Sequence, residues 1–482
     1  MSLDGAAARG LGWAVVEKWS SRLVSLVVLF VLGRLLTPTE FGLIALATVF
    51  VTLLNVFVDQ GFGRALVQRD ALDDEHADTA FWVAVVSSLL LGAALVAIAP
   101  ALAAMLQELE LAPVIQVMSV GLVLYALSTV PQALLEREFG FKALARRRVI
   151  ATTLGGIAAI IAAGAGFGVW SLVVQVLTTA AVGVVVLWTA SAWRPHLRMS
   201  GKAIRDLWAT GVSIVGIELV GFLNGQADKL LVGALLDAQA LGYYFFAMRI
   251  ISIIVELFST VLSSISLTTF SRLQNDHAEL RRWLYRLSSV SCLIAMPAFA
   301  VLAATSPQLV PMVFGEQWTV SGHVAQALCL LGAVNAIAVF DRSALIAVGR
   351  NRLAFLLTFG QAVVGCIFIV AGVWWGVIGV ALAVSIRQVM WWPVRLAALK
   401  VSVAAKPSTM IGTWLKPFLI AAVAAACGAL ILSKLQEAWP SWPAVVTTAL
   451  IVIVIFLAGA ALALRREVRS AWALVTTMRK GR

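Results

Sequence analysis

Charged residues and cysteine are scarce in this chain of 482 residues. Charged side chains make up 12% of the sequence and apolar residues 61%, and the mean hydropathy is +0.97. This balance leaves no room for a sizeable soluble domain. The four cysteines stand singly inside apolar stretches, without a CxxC pair or a histidine at metal-binding spacing, which argues against disulfides and zinc sites. They are Cys292, Cys329, Cys366 and Cys427.

The motifs of common soluble catalysts are missing as well. The sequence has no GxxxxGK[ST] loop, no HExxH pair and no GxSxG elbow, so a built-in ATPase, a zinc peptidase of that type and a serine hydrolase are excluded. We therefore expect a protein that is not an enzyme and that uses neither a cofactor nor a metal ion.

Long apolar stretches dominate the sequence instead. A helix of about 20 apolar residues crosses a hydrocarbon core about 30 Å thick. Fourteen such stretches are present, at 12–34, 41–60, 79–104, 112–135, 148–166, 168–190, 206–236, 240–265, 286–305, 322–345, 353–373, 376–398, 411–433 and 444–464. The sequence predicts an all-α polytopic membrane protein with about 14 transmembrane helices.

Lysine and arginine are concentrated in every second connection between these stretches. The connections around 137–148 and 194–205 are strongly basic, whereas 107–113 and 306–318 contain no basic residue. Basic loops stay in the cytoplasm, so both termini are predicted to be cytoplasmic. The net charge of +12 then reflects membrane topology and not a nucleic-acid-binding surface.

An internal repeat organises the chain at an offset of 200 residues. The segment 31–47 aligns with 231–247, so that Gly42 corresponds to Gly242. Because six spans separate the two copies, the repeat is parallel, about an axis near the membrane normal. The predicted domains are an N-lobe of six spans, a C-lobe of six spans, and two further spans with a C-terminal amphipathic helix. They cover 1–205, 206–400 and 401–482.

Charged residues inside the first span are candidates for a binding site, because a charge within a bilayer costs at least about 2.5–3.5 kcal/mol. Arg22 is predicted to lie about 10 Å inside the membrane at about 1.5 Å per residue, and Lys18 is one turn earlier on the same face. Glu17 could balance their charge. The alternative is that both cations extend to the cytoplasmic headgroups.

Other charges fall within or at the ends of spans 2, 7 and 8. Span 7 contains Glu218, and it contains Asp228 next to Lys229, which could simply neutralise each other. Span 8 contains Arg249 and Glu256, two turns apart. Asp59 ends span 2, before a flexible GFG. A cavity formed by these cations would suit an anionic headgroup, with Glu17, Asp59, Glu218, Asp228 and Glu256 available for charge balance or for ion or proton coupling.

Several segments together resemble a known family. They include GRLLTPTEFGLIALATVF at 33–50, VDQGFGRALVQRD at 58–70, FGFKALARRR at 139–148, FGEQW at 314–318 and DRSALIAVGR at 341–350. The chain is similar over about residues 10–400 to the polysaccharide transporter branch (Wzx-type oligosaccharide, O-antigen and exopolysaccharide flippases of lipopolysaccharide biosynthesis) of the multidrug/oligosaccharidyl-lipid/polysaccharide (MOP) superfamily. The resemblance implies two six-helix lobes, here with two additional helices.

The resemblance also implies a function. Such proteins move an undecaprenyl-pyrophosphate-linked oligosaccharide across the bacterial inner membrane by alternating access. By location, Lys18, Arg22, Lys229 and Arg249 would bind the pyrophosphate. The expected partners are this lipid, membrane lipids and the polymerase and glycosyltransferases of the same pathway, but not nucleic acid, and a monomer is the default state.

Three other functions remain open on the sequence alone. A drug or cation antiporter of the same superfamily would share the fold, but would line its cavity with carboxylates. A peptidoglycan-precursor flippase would differ only in the headgroup that it binds. A non-transporting membrane subunit of a polysaccharide assembly complex would have no use for charges inside several spans.

Overall fold

The computed structural model describes residues 22–69 and 73–464. These residues form helices joined by short connections, and they include no strand, which confirms the predicted all-α class. Residue contacts divide the chain after Gly242 into two compact units, here called unit 1 and unit 2. Glu17, Lys18 and the predicted C-terminal amphipathic helix lie outside the described residues.

Unit 1 contains nine helices in the described residues. They are α1 (22–35), α2 (Pro38–Asp59), α3 (Phe62–Gln68), α4 (Asp74–Met105), α5 (Leu111–Met118), α6 (Val120–Arg137), α7 (Phe141–Gly164), α8 (Val169–Ala190) and α9 (Gly201–Leu235). Helices α5 and α6 together form one segment of membrane-spanning length, Leu111–Arg137.

The helices of unit 2 follow, although α10 begins just before the division. They are α10 (Ala238–Arg272), α11 (His277–Phe314), a 3-10 turn (Glu316–Trp318), α12 (Thr319–Ala347), α13 (Asn351–Val373), α14 (Gly376–Met390), α15 (Trp392–Val403), α16 (Pro407–Ala438) and α17 (Ser441–Ala463). Helices α14 and α15 count as one spanning segment, Gly376–Val403.

The number of spanning helices agrees with the sequence prediction. Twelve helical segments in the described residues are long and apolar enough to cross a membrane, and α9 makes thirteen if its two parts count as one span. The two parts of α9, Gly201–Trp208 and Gly211–Leu235, meet at an angle of 49°. The remaining predicted span, 12–34, is described only from residue 22 onward.

A tight turn between α2 and α3 sets the direction of α3. Gln60 and Gly61 both adopt left-handed backbone conformations, with φ of 48° and 71°, and glycine takes up such a conformation without steric cost. The Asp59 carboxylate then accepts a hydrogen bond from the backbone N–H of Gly63 at 3.1 Å. This bond satisfies one of the free N–H groups at the start of α3.

Small residues bring α7 and α8 close together. Gly155 on α7 faces the hydroxyl of Thr179 on α8 with no space for a Cβ atom. Gly183 on α8 faces the Arg147 guanidinium, and a Cβ there would be 3.2 Å from Nε. Gly156 on α7 contacts Val28 of α1 in the same way. These contacts arrange α1, α7 and α8 around the polar residues described below.

The interior of unit 2 is built from aromatic and aliphatic side chains. Phe246 stacks on Trp318 with ring centroids 3.9 Å apart, and Trp392 stacks on Trp414 at 3.5 Å. Helices α16 and α17 pack against α11. In unit 1, α9 packs against α2, α3 and α4. The predicted lobe boundaries at 205 and 400 remain predictions.

Candidate functional site

Of the candidate residues in the first span, Arg22 lies within the part of the chain that the structure describes. This residue lies in the first described turn of α1 and is half-buried. It precedes Val28, the contact of α1 with Gly156 of α7. Arg147 likewise precedes Gly156 on α7. If the spans cross the membrane alternately, spans 1 and 5 run in the same direction, and both arginines are then on the N-terminal side of this contact.

Asp59 and Glu218 are brought together by an arginine of the connection between spans 2 and 3. Arg64 on α3 forms an ion pair with Glu218 on α9, with 2.5 Å between Nη1 and Oε1. Asp59 contacts the same helix, because its carboxylate accepts the hydrogen bond from the backbone N–H of Gly63 in the first turn of α3. The two carboxylates that were predicted to balance charge therefore both hold α3.

Asp228 and Lys229 lie farther along α9 and are half-buried. The Lys229 ammonium donates a hydrogen bond to the side-chain oxygen of Gln226 at 2.8 Å. The Asp228 carboxylate accepts a bond from the backbone N–H of Lys229 at 2.9 Å. The structure thus gives Lys229 a polar neighbour on its own helix, and its role in binding an anion remains a prediction.

Arg249 and Glu256 are on α10 in unit 2. Both side chains are exposed, as expected for residues that reach lipid headgroups, water or a substrate. Their predicted roles in pyrophosphate binding and in charge balance remain predictions.

Unit 1 contains two adjoining cavities with charged and polar residues in their lining, which together we call the unit-1 cavity. The larger has a volume of about 730 Å³ and lies between α6, α7 and α8. The smaller, of about 290 Å³, extends to α2 and α3. Both are lined by Gln132, Glu136 and Arg147. Volumes of about 300–1,000 Å³ are typical of sites for small ligands.

A chain of hydrogen bonds crosses the shared wall of these cavities. Arg147 Nη1 donates to the side-chain oxygen of Gln132 at 2.6 Å, and Gln132 Nε2 donates to the Glu136 carboxylate at 2.8 Å. The order fixes the Gln132 amide, with its oxygen toward the cation and its nitrogen toward the anion. A guanidinium has five N–H donors and a carboxylate about four acceptor positions, so each end of the chain can bind further groups.

Arg64 and Arg147 are the residues that the sequence analysis missed at this site. Both belong to connections that carry arginines, and arginines in such connections are explained by the preference of positive charge for the cytoplasmic side. The position of Arg147 on its helix could have identified it. Arg147 is the seventh residue of α7, and consecutive residues of a helix lie on different faces. Arg146 and Arg148, its neighbours, are exposed, whereas Arg147 is half-buried.

Unit 2 has a separate line of polar side chains between α12, α13 and α14. Gln388, which is buried, donates a hydrogen bond to Asn335 at 2.8 Å and accepts one from Gln361 at 2.8 Å. Asp341 is also buried and lies 3.5 Å from Nε of Arg395. No group of three or more metal-ligating side chains occurs in the residues that the structure describes.

Comparisons with known proteins give the chain a family. A model of the polysaccharide biosynthesis protein family matches residues 31–323. The chain is 24% identical over 417 residues to the teichuronic acid biosynthesis protein TuaB of Bacillus subtilis (strain 168), with 86% of each chain covered. It is 23% identical over 393 residues to the lipopolysaccharide biosynthesis protein WzxC of Escherichia coli (strain K12), which covers 81% of this chain and 80% of WzxC.

Solved structures identify the fold. The lipid II flippase MurJ in an inward closed conformation superposes with a TM-score of 0.76 at 14% identity, over 94% of this chain and 99% of MurJ. An inward-facing multidrug resistance MATE family transporter of the MOP superfamily gives a TM-score of 0.60 at 16% identity, over 80% of this chain and 94% of that chain. The predicted MOP-type fold is confirmed. Because the family model covers more than half of the chain, this multi-pass membrane protein belongs to the polysaccharide biosynthesis protein family.

Proposed function

We propose that this protein is a flippase that moves an undecaprenyl-pyrophosphate-linked oligosaccharide across the bacterial inner membrane for polysaccharide biosynthesis. The observation that carries the proposal is the unit-1 cavity, a space among membrane-spanning helices whose lining combines guanidinium, carboxylate, amide and hydroxyl groups. Such groups bind the hydroxyl groups of a sugar. A transporter of a saccharide headgroup has a use for them, whereas a purely structural subunit has none.

The relatives support the same substrate class. TuaB and WzxC are named for the biosynthesis of teichuronic acid and lipopolysaccharide, and MurJ is named a lipid II flippase. The activity in that name, the flipping of a lipid, is of the class proposed here. The protein would then be a transporter and not an enzyme, with both termini in the cytoplasm. A monomer is the default state, and the polymerase and glycosyltransferases of the same pathway are its expected partners.

Within this function, the predicted cations and carboxylates have different roles. Lys18, Arg22, Lys229 and Arg249 would bind the pyrophosphate, because charge-assisted hydrogen bonds to phosphate oxygens are among the strongest in proteins. Five carboxylates would balance these cations when the substrate is absent, or would couple transport to an ion or a proton: Glu17, Asp228, Glu256 and the two that contact α3, Asp59 and Glu218. Charge balance matters here because an uncompensated charge within the membrane is costly.

Reconstitution tests the proposal directly. Purified protein is placed in liposomes that contain a fluorescent undecaprenyl-pyrophosphate oligosaccharide, and an impermeant glycosidase reports the sugar that reaches the outer leaflet. We expect cleavage beyond the accessible half to depend on the protein. If folded protein leaves the inner-leaflet lipid protected, the flippase proposal is wrong. Drug uptake by the same liposomes would then favour an antiporter, and co-purification with a polymerase would favour an assembly subunit.

A further inference from the structure

The unit-1 cavity is lined by side chains of both charge signs. Three arginines and two carboxylates contribute to its walls: Arg64, Arg147, Arg148, Asp59 and Glu136. The remaining polar wall consists of amide and hydroxyl groups, Gln132, Tyr125, Ser128, Thr129, Thr152 and Thr179. A pyrophosphate would gain from the arginines but would be repelled by the carboxylates. A ligand with many hydroxyl groups can use both.

The hydrogen-bonded chain supplies planar groups suited to vicinal hydroxyls. Arg147, Gln132 and Glu136 are linked at 2.6 Å and 2.8 Å, and all three end in planar groups with two or more polar atoms. The Arg147 guanidinium packs against α8 at Gly183, where the absence of a side chain leaves space for it. Neighbouring hydroxyls of a sugar ring can donate to a carboxylate and accept from a guanidinium at the same time.

Aromatic rings and hydroxyls complete the lining. Phe141 borders the larger cavity and its side chain is 43% exposed, so its ring is accessible to the apolar face of a sugar. Tyr125 borders the smaller cavity. Thr179 and Thr129 already donate their hydroxyl protons to the backbone, and their oxygens still accept. Thr152 lies between Arg147 and Gly156 on α7 and borders the larger cavity.

We propose that the unit-1 cavity is the saccharide-binding subsite, which holds one or more sugar rings of the lipid-linked substrate through Arg147, Gln132 and Glu136. This inference rests on the proposed function, because it assigns one part of that substrate to one place. It separates the sugar from the pyrophosphate, which Arg22 and the other predicted cations bind. The two parts of the substrate therefore respond to different substitutions.

Binding of two lipids to the full-length protein in nanodiscs tests this separation. One lipid is the undecaprenyl-pyrophosphate oligosaccharide extracted from the bacterium that makes this protein, and the other is undecaprenyl pyrophosphate without sugar. We expect Gln132→Ala and Thr152→Val each to weaken binding of the saccharide-bearing lipid about tenfold and to leave binding of the bare lipid unchanged. Arg22→Ala should weaken both. Gln116→Ala, on α5 outside the cavity, should weaken neither.

Each other result rejects the subsite. Equal losses for both lipids in the Gln132 and Thr152 variants mean that the cavity holds the pyrophosphate, and no loss for either means that the sugar binds elsewhere. Thr152→Val changes only a hydroxyl to a methyl group, so it keeps the test valid if Gln132→Ala fails to fold. The liposome assay is independent: normal flipping with unchanged binding in the variants rejects the subsite alone, whereas selective binding without flipping rejects the flippase alone.

Discussion

Arg64 and Glu218 join the short helix α3 to the longer part of α9, with 2.5 Å between the guanidinium and the carboxylate. Immediately after α3, Arg69 forms an ion pair with Asp206 in the shorter part of α9 at 3.1 Å. Since the two parts of α9 meet at 49°, the two ion pairs attach α3 on both sides of the bend. A short helix therefore braces a bent membrane helix within unit 1.

Backbone contact supports the same brace at the bend itself. A Cβ atom on Gly61 would be 2.7 Å from the carbonyl oxygen of Gly211, and one on Gly211 would be 2.5 Å from the carbonyl oxygen of Gln60. Helix α9 contains no proline, the commonest cause of a sharp bend. The close approach of these two glycines and the flanking ion pairs provide the physical reason for the angle.

Exchange of the two charges tests whether the pair itself matters. Arg64→Glu and Glu218→Arg should each slow flipping by up to about fivefold, because each turns an attraction at the bend into a repulsion and an exposed ion pair contributes up to about 1 kcal/mol. The double variant should recover most of the rate, since the pair is restored in reverse. The rates are measured in the liposome assay.

The exposed pair Arg282 and Glu279 on α11, 3.0 Å apart, provides a matched control. Exchanging its charges should leave the flipping rates of the single and double variants unchanged, because this pair lies within one turn of α11 and connects no two helices. A double variant of Arg64 and Glu218 that stays as slow as the single variants would show that Arg64 acts by contacting the substrate and not by bracing α9.

Gly42 and Gly242, which the repeat aligns, make reciprocal contacts in unit 1. A side chain on Gly42 would collide with the carbonyl of Ala238, and one on Gly242 would collide with the carbonyl of Pro38. Alanine at either position should lower stability by about 1–3 kcal/mol, because a backbone carbonyl cannot move aside as a side chain does. The melting temperature of the detergent-solubilised protein measures this effect.

A glycine in open space distinguishes crowding from helix propensity. A Cβ atom added to Gly412 on α16 would meet no neighbouring helix or side chain within 4 Å in the described part of the chain. Gly412→Ala should therefore keep or raise the melting temperature, by the usual gain of about 0.5–1 kcal/mol for alanine over glycine within a helix. Equal changes of melting temperature in the alanine variants of Gly42, Gly242 and Gly412 would contradict the close backbone contact at Gly42 and Gly242.

The sequence predicted the helices well because length and hydropathy determine which segments cross a membrane. Arg64 and Arg147 could not be assigned to a site in this way. Both stand in connections between spans, and the rule that orients the helices already explains positive charges there. Their roles depend on partners far along the chain, Glu218 for Arg64 and Gly183 for Arg147. Only the packing of α3 on α9 and of α7 on α8 brings these partners together.

Arg22 and Arg249 test the predicted pyrophosphate site. Arg22→Ala and Arg249→Ala should each reduce flipping about ten- to hundredfold, because a hydrogen bond to a charged group contributes about 1.5–3 kcal/mol. Expression and melting temperature should stay near the wild-type values. Arg22→Lys keeps the charge and should recover part of the rate. Normal flipping in both alanine variants would rule out these residues as the pyrophosphate site.

The ion pair of Asp341 and Arg395 is predicted to contribute to the stability of unit 2. Asp341 is 1% exposed, and its carboxylate lies 3.5 Å from Nε of Arg395. Nη2 of Arg395 donates a hydrogen bond to the carbonyl oxygen of Ala338 at 2.8 Å. Arg395→Met leaves the buried carboxylate without its counter-ion and should destabilise the protein by about 3–5 kcal/mol. Arg395→Met combined with Asp341→Leu should restore most of the stability, because an apolar pair needs no compensation in this interior.

Thermal unfolding in detergent, followed by the loss of monodisperse protein, ranks these variants. Arg282→Met removes an exposed arginine of α11 and serves as the control, with an expected change within about 0.5 kcal/mol. A double variant as unstable as Arg395→Met alone would mean that the arginine stabilises α15 through its bond to Ala338 and not through Asp341. Recovery in the double variant would instead identify the uncompensated carboxylate as the cause, since the bond to Ala338 is lost in both.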